Sequence, residues 1–194
     1  MALKEYPTID DVKNYYEKFV NYRHSTEGNS RVKQILKFID SRIKYKNYQS
    51  ALDIGCGAGI ITEHLKKSIH TVIGIDISEE RIKLADSRGT AIYYQDDYSR
   101  DNIAIQKCDL VIVCDCLEHI LPERRKTFLK NVYNSFNEMV IVTIPEPNNL
   151  KHLRETRPEI LQIVDEPIYD EDFDKFIIKE KITKGIYVYY VLGK

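Results

Sequence analysis

The chain has 194 residues, of which 43% are hydrophobic and 30% charged, and this length and composition fit one globular domain. Lys and Arg number 29 against 30 Asp and Glu, and the net charge of -1 argues against tight nonspecific binding to nucleic acid. Residues 1–11 lack the apolar stretch of a signal peptide, and no apolar run reaches the about 20 residues that span a bilayer. We therefore expect a cytoplasmic protein without a membrane segment.

Residues 1–48 are predicted to form a helical lid. Val12–Tyr22 gives one amphipathic helix, and Arg31–Ile43 gives a second helix whose apolar side chains share one face. The polar loop at 24–30 separates them and ends at Ser30, the predicted N-cap of the second helix.

From residue 50, short apolar runs alternate with amphipathic stretches. The predicted strands are Ala51–Ile54, Thr71–Ile75, Ala91–Gln95, Asp109–Val113 and Glu138–Ile144. The predicted helices are Ile60–Lys67, Glu79–Arg88 and Pro122–Phe136. Because several of the strands are uniformly apolar, this alternation indicates a doubly wound α/β fold with a mostly parallel sheet and helices on both faces.

The last part of the chain has a different pattern. The stretch 145–174 is the least regular, with one short helix predicted near Lys151–Val164. Phe176–Ile182 and Ile186–Leu192 are β-rich runs around a Lys-Gly pair, which predicts an antiparallel hairpin on the sheet. We expect a single domain that consists of a lid at 1–48, a cofactor-binding core at 50–145 and a substrate-side segment with the hairpin at 146–194.

The four cysteines are predicted to be reduced and buried. Cys114-x-Cys116 is tighter than the usual Cys-x-x-Cys zinc spacing, and no second cysteine pair accompanies it. We therefore predict no zinc site.

A glycine-rich turn, Gly55-Cys56-Gly57-Ala58-Gly59, joins the first strand to the next helix. Its glycines permit positive φ and let a ligand lie against the backbone. A Walker A loop would need a lysine that is missing, and the usual NAD pattern fails at Ile60. Asp53, just before the turn, would repel a pyrophosphate. It suits a cationic cofactor such as S-adenosylmethionine, which carries sulfonium and ammonium groups and no phosphate.

These residues resemble the class I S-adenosylmethionine-dependent methyltransferases, whose first motif is an acidic residue followed by Gly-x-Gly-x-Gly. The resemblance covers roughly residues 50–145, with later motifs in the family order, and implies a seven-stranded Rossmann-like sheet. The first motif implies five cofactor-binding residues, namely Asp53, Gly55, Cys56, Gly57 and Gly59.

The second motif is matched by Gly74–Ser78. The resemblance implies that Asp76 accepts both ribose hydroxyls and that Ile77 contacts the cofactor. Hydrogen bonds to a charged acceptor are worth about 1.5–3 kcal/mol each. Taken alone, Asp76 is equally consistent with a helix-capping acid.

The third and fourth motifs are matched by Tyr94–Tyr98 and Cys108–Asp115. The resemblance implies that Asp97, rather than the acid before it, binds the adenine amino group, with Tyr98 near the ring. It also implies that Cys114, at a strand end, lies beside the methionine part of the cofactor.

Methyl transfer needs alignment of donor and nucleophile, which can supply up to about 7–11 kcal/mol. His119 is the predicted general base, because the Leu-Glu-His-Ile run that contains it resembles a segment of small-molecule methyltransferases. The alternative is a structural histidine bonded to backbone. A further alternative is a divalent metal on Asp115, Glu118 and His119, as in some RNA 2′-O-methyltransferases, with His152 as an added ligand.

The lid supplies the remaining candidates. Arg31 is predicted to grip the methionine carboxylate, the alternative being a solvated helix residue. Tyr15, Tyr16, Tyr22 and His24 are predicted to line the lid or to belong to the core.

Three functions compete. The first is an O- or N-methyltransferase of a small-molecule acceptor, because a chain of this length leaves no separate substrate domain. The second is an RNA or protein methyltransferase, and the near-neutral charge disfavours RNA. The third is a cofactor-binding module without catalysis. We expect a monomer or homodimer without a nucleic-acid or membrane partner.

Overall fold

The computed structural model describes residues 7–18, 29–104, 106–156 and 164–194. The strands are β1 (Ser50–Ile54), β2 (Thr71–Asp76), β3 (Ile92–Gln95), β4 (Cys108–Cys114), β5 (Phe136–Pro145), β6 (Ile177–Lys184) and β7 (Tyr187–Gly193). The α-helices are α1 (Ile9–Lys18), α2 (Ser30–Ile43), α3 (Ile60–Lys66), α4 (Glu79–Asp86), α5 (Pro122–Ser135) and α6 (Pro147–Thr156). In these ranges, no helix is both long enough and apolar enough to cross a membrane.

The strands form one seven-stranded sheet in the order β3-β2-β1-β4-β5-β7-β6. The first five pair in parallel, while β7 runs antiparallel to β5 and β6 antiparallel to β7. This topology confirms the predicted doubly wound fold and its C-terminal hairpin. The chain order reverses beside β1, which creates a crevice at the carboxyl ends of β1 and β4.

The uniformly apolar β4 is explained by two cores, one on each face of the sheet. Val111 packs in a cluster with Phe128 of α5. The next residue, Ile112, packs on the opposite face in a cluster with Ile39 of α2. Because successive strand residues point to opposite faces, both faces of β4 must be apolar when both are covered by helices.

The start of α2 differs from the prediction. Asn29 is the N-cap, because its side-chain oxygen accepts the Arg31 N–H at 2.8 Å, and Ser30 is already helical. The predicted Ser30 cap was therefore wrong by one residue. Asn and Ser have similar capping preferences, so the sequence alone does not separate them.

Two other predicted helices lie partly outside the described residues. The helix predicted at Val12–Tyr22 begins earlier, at Ile9, and is described to Lys18, so the predicted Tyr22 end lies outside. The helix predicted near Lys151–Val164 begins at Pro147 and is described to Thr156.

Gly59 provides a test of how closely α3 and β3 are packed. Its φ is +78°, and a Cβ there would lie 2.5 Å from the Tyr93 hydroxyl and 3.0 Å from the Ala85 Cβ. Gly89 has a similar φ of +73°, but a Cβ there would meet nothing within 4 Å. The two glycines therefore share the backbone strain and differ in packing.

We expect Gly59→Ala to destabilise the fold more than Gly89→Ala does. Both substitutions carry the cost of a left-handed backbone, about 1–2 kcal/mol. Only Gly59→Ala adds overpacking, a further cost of about 1–3 kcal/mol. Chemical denaturation of both variants measures the difference, and equal losses would contradict the packing described here.

Candidate functional site

A cleft lies at the carboxyl ends of β1, β2 and β4, on the side where the chain order reverses. It is lined by six of the predicted site residues, namely Gly55, Asp76, Ile77, Asp97, Tyr98 and His119. Helix α1 covers it with Val12 and Tyr16. The structure therefore brings the predicted motifs together from separate parts of the chain.

Gly55 of the glycine-rich turn lines the cleft, and Gly57 and Gly59 follow it without being among the described residues that line the cleft. Gly55, Gly57 and Gly59 have φ values of 76°, 53° and 78°, which side chains rarely adopt. A Cβ on Gly55 would lie 2.5 Å from Cys116 Sγ, whereas a Cβ on Gly57 would meet nothing closer than 3.9 Å. Gly55 is thus required for packing, and the Gly57 backbone is open to a ligand.

Cys56, between these glycines, does not line the cleft. Its Sγ lies toward Gly74 of β2, where a Cβ would approach it to 3.0 Å. Burial raises the pKa of the Cys56 thiol well above its usual range. Cys56 can therefore contribute backbone to a ligand while its side chain packs against the sheet.

Asp76 is fixed at the end of β2 by two backbone donors. It is 6% exposed, with Oδ2 accepting the Gly57 N–H at 2.8 Å and Oδ1 accepting the Ser78 N–H at 2.9 Å. Burial raises the pKa of this carboxyl. Each oxygen still has a lone pair that can accept a hydroxyl.

Asp53 lies beneath the turn. It is 2% exposed, and its Oδ2 accepts the Thr62 hydroxyl of α3 at 2.6 Å. Burial raises the pKa of Asp53 to about 7. It does not line the cleft, so it affects a ligand through its charge and not through the direct contact that the motif implied.

Two residues of the third motif, Asp97 and Tyr98, already form hydrogen bonds or ion pairs within the protein. Asp97 Oδ1 accepts the Ser99 N–H at 2.9 Å, and Oδ2 lies 2.9 Å from Arg124 Nη1. Tyr98 is 5% exposed, and its hydroxyl is bonded to Ser135. Tyr98 therefore contributes its ring to the cleft, and Asp97 is oriented by the protein.

Cys114 is placed differently from the prediction. It is buried in the cluster under α2 with Ile39, on the face of the sheet away from the cleft. The residues that line the cleft at this strand end are Asp115 and Cys116. The Cys114 thiol therefore does not face the cleft, and a contact of this residue with a cofactor stays a prediction. The alternation of side chains along β4 sends this thiol into the core.

Arg31 is buried against protein groups. Its Nε donates to Asp115 Oδ2 at 2.9 Å, its Nη2 to Asp115 Oδ1 at 2.5 Å and its Nη1 to the Tyr189 hydroxyl at 2.6 Å. The guanidinium also lies 3.4 Å from the centre of the Tyr187 ring. Because Arg31 is 5% exposed, the solvated alternative is wrong, and the contact of Arg31 with a methionine carboxylate stays a prediction.

The lid residues are described in part. Tyr16 is 6% exposed and lines the cleft, and its ring contacts the Tyr15 ring at 5.2 Å. Tyr22 and His24 lie outside the described residues. Among the described residues, α1 is the part of the predicted lid that lines the cleft.

Glu17, which sequence reasoning missed, ties α1 to the start of α4. Its carboxylate accepts the Glu79 N–H at 2.8 Å, the Glu80 N–H at 3.0 Å and the Ser78 hydroxyl at 3.0 Å. Free N–H groups at a helix start attract a carboxylate. The sequence carried no signal of this contact, because the two elements are about sixty residues apart.

His119 lies in the 3-10 turn after β4, beside the cleft. Its Nδ1 is 2.8 Å from Asp165 Oδ1, and its Nε2 is 3.9 Å from Glu118 Oε1. Burial lowers the pKa of His119, but the Glu118 and Asp165 carboxylates outweigh it and raise the pKa above the usual value. For the carboxyl group of Glu118, burial has the opposite effect and raises the pKa.

The alternative metal site is not assembled. The carboxylate of Asp115 is held by Arg31, and His119 faces Asp165. His152 is exposed on α6. Within the described ranges, no three His, Cys, Asp or Glu side chains are grouped so as to hold a metal ion.

Comparison with known sequences finds similarity over the core. A family model described as "Methyltransferase domain" matches residues 51–138. The chain is 32% identical over 95 residues to ubiquinone biosynthesis O-methyltransferase of Coxiella burnetii, an alignment that covers 46% of this chain and 40% of that protein. The chain thus spans less than half the length of this curated relative.

Comparison with solved structures finds similarity over nearly the whole chain. Magnesium protoporphyrin IX methyltransferase from Synechocystis PCC 6803, crystallised with bound SAH, gives a TM-score of 0.73 at 18% identity, covering 94% of this chain and 96% of that chain. N-methyltransferase NodS from Bradyrhizobium japonicum WM9, in complex with S-adenosyl-l-homocysteine, gives 0.73 at 12% identity, covering 95% and 97%. At these identities the likeness concerns the fold.

The buried Asp53 makes stability depend on pH. Its pKa is about 7 in the folded chain against 3.8 for an ordinary carboxyl, so between these values the folded state holds a proton that the unfolded state has lost. The free energy of unfolding should therefore fall as pH rises from about 4 to about 7. We expect Asp53→Asn to reduce this fall and to raise the free energy of unfolding near pH 8 by about 1–3 kcal/mol.

Chemical denaturation at about pH 5 and about pH 8 measures this effect. Asp86→Asn, at an exposed acid of α4, is the matched control and should leave the pH dependence unchanged. An Asp53→Asn variant with the pH dependence of the parent chain would show that Asp53 is not the responsible group.

Proposed function

We propose that this chain is a class I methyltransferase and that it transfers the methyl group of S-adenosylmethionine to an oxygen or nitrogen of a small-molecule acceptor. The observation that carries the proposal is the acid-lined cleft at the switch point of the sheet. There, Asp76 is held beside the open backbone of Gly57.

The charges around the cleft fit the proposed cofactor. The charged side chains that line it are Asp76, Asp96, Asp97, Asp115, Arg81 and His119. A pyrophosphate at the glycine turn would meet carboxylates, and no lysine is among the described residues that line the cleft. A sulfonium and an ammonium group are attracted by the same carboxylates.

Particular residues would hold the parts of the cofactor. Asp76 would accept the ribose hydroxyls, Asp97 would accept the adenine amino group, and the Gly57 backbone would lie against the ligand. When bound, S-adenosylmethionine supplies a methyl carbon whose bond to sulfur breaks with the electron pair left on sulfur. The chain's own contribution is to orient the reactants and to exclude water.

Val12, Ile120 and Leu121 provide apolar wall, Tyr16 lines the cleft while its hydroxyl is buried, and His119 provides an imidazole. This combination suits a metabolite with an apolar body and one hydroxyl or amine. Nε2 of His119 can accept the proton that such a group loses, once the imidazole is neutral.

The other functions have less support. The near-neutral composition gives the chain no overall positive charge of the kind that favours nonspecific binding to nucleic acid. A cofactor-binding module without catalysis would not need an imidazole between two carboxylates.

We also propose a cytoplasmic location and no membrane partner, with the protein a monomer or homodimer. The named relative, a ubiquinone biosynthesis O-methyltransferase, makes hydroxyl-bearing metabolites a first choice of acceptor.

A methyl-transfer screen with labelled S-adenosylmethionine against hydroxyl- and amine-bearing metabolites tests the proposal. With the acceptor so found, we expect His119→Gln to lower kcat by about 10²–10⁴-fold, because a general base is lost, while cofactor affinity changes little. His70→Gln, at an exposed histidine, is the matched control. Equal turnover in His119→Gln and the parent chain would exclude the base role, and no transfer to any class of acceptor would contradict the proposed function.

A further inference from the structure

Among the described residues, the imidazole of His119 is hydrogen-bonded through Nδ1 alone. Its Nδ1 lies 2.8 Å from Asp165 Oδ1 and 3.2 Å from the Val164 carbonyl oxygen. Both partners belong to the segment that begins at residue 164, before the C-terminal hairpin. The other ring nitrogen, Nε2, has Glu118 Oε1 nearby at 3.9 Å, which is too long for a hydrogen bond.

We propose that Asp165 is a positioning residue for methyl transfer, which holds His119 with Nδ1 turned into the protein and Nε2 directed to the acceptor. This inference rests on the proposed function, in which His119 takes the acceptor's proton. It assigns a role to the otherwise irregular stretch after α6.

The geometry determines which nitrogen reacts. A carboxylate accepts and cannot donate, so Asp165 requires a proton on Nδ1 of the neutral ring. Nε2 then carries the free electron pair. The acceptor's O–H or N–H bond breaks, its electron pair forms the new bond to the methyl carbon, and the proton ends on Nε2.

Other groups near the ring do not replace Asp165 in this role. Glu118 is 2% exposed, and its Oε2 has no hydrogen-bond partner in the described part of the chain. The Tyr16 ring lies 5.8 Å from the imidazole, and its hydroxyl is likewise unpartnered among the described residues. Two further titratable residues, Cys116 and Asp115, line the cleft with His119. Asp115 is bonded to Arg31.

The position of Asp165 is itself supported by its neighbours. The Glu166 N–H donates to the Glu118 carbonyl at 3.0 Å, which joins this segment to the turn that carries His119. The Glu166 side chain points to Arg154 of α6, at 2.8 Å. Glu166 is therefore a buried acid of the same segment whose carboxylate serves another partner, and it offers a matched control.

The test compares Asp165→Asn with Glu166→Gln. Imidazole titration by NMR, on protein labelled at histidine and assigned with His119→Gln, needs no acceptor. We expect Asp165→Asn to lower the pKa of His119 by about one unit or more, because the ring loses an adjacent negative charge. Glu166→Gln should leave it unchanged, and Asp165→Glu should retain most of the elevation.

With an acceptor in hand, Asp165→Asn should lower kcat by about tenfold or more with little change in cofactor affinity, and the rise of kcat with pH should move to lower pH. An unchanged His119 titration in Asp165→Asn, or equal shifts in Glu166→Gln, would overturn the positioning role. If Asp165→Asn does not fold, a titration in Asp165→Glu that falls to the ordinary histidine range would overturn it as well. Normal titrations together with no methyl transfer would instead contradict the proposed function.

Discussion

Carboxylates meet in a buried layer at one edge of the sheet because parallel strands end there together. Asp53 is the last residue but one of β1, Asp76 is the last residue of β2, and Asp115 comes directly after β4. Removing such charges from water is costly unless each is neutralised or hydrogen-bonded. The backbone N–H groups of Gly57 and Ser78 serve Asp76, and the Thr62 hydroxyl serves Asp53. A cationic ligand in the cleft would complete this compensation.

The same constraint explains how the N-terminal helices attach to the sheet. Arg31 of α2 neutralises Asp115 and is itself covered by Tyr187 of the hairpin. In α1 the charged residue is an acid: the carboxylate of Glu17 is attracted by the free N–H groups at the start of α4. Charge pairing therefore orders the elements around the cleft, while the apolar clusters on the two faces provide the bulk of the packing.

The local parts of the fold and the site could be predicted from the sequence. The strand–turn–helix pattern at β1 and the acid at the end of β2 are short-range features, and the cleft contains Asp76 as expected. The side chain of Cys114 faces the core and not the cleft, because a shift of one residue along a strand changes the face. The partner of Arg31 lies 84 residues away, and motif reasoning does not identify such a pairing. Asp165 lies in an irregular stretch, where no periodicity indicates which side chain faces His119.

The central claim is that these carboxylates select a cationic adenosyl compound over a phosphate-bearing one. Calorimetry of S-adenosylmethionine and of adenosine diphosphate against the protein tests it most directly. The account predicts binding of the first and none of the second, with Asp76→Ala weakening the binding by about tenfold or more and Asp86→Ala leaving it unchanged. Equal or tighter binding of adenosine diphosphate, or an affinity unaltered in Asp76→Ala, would contradict it.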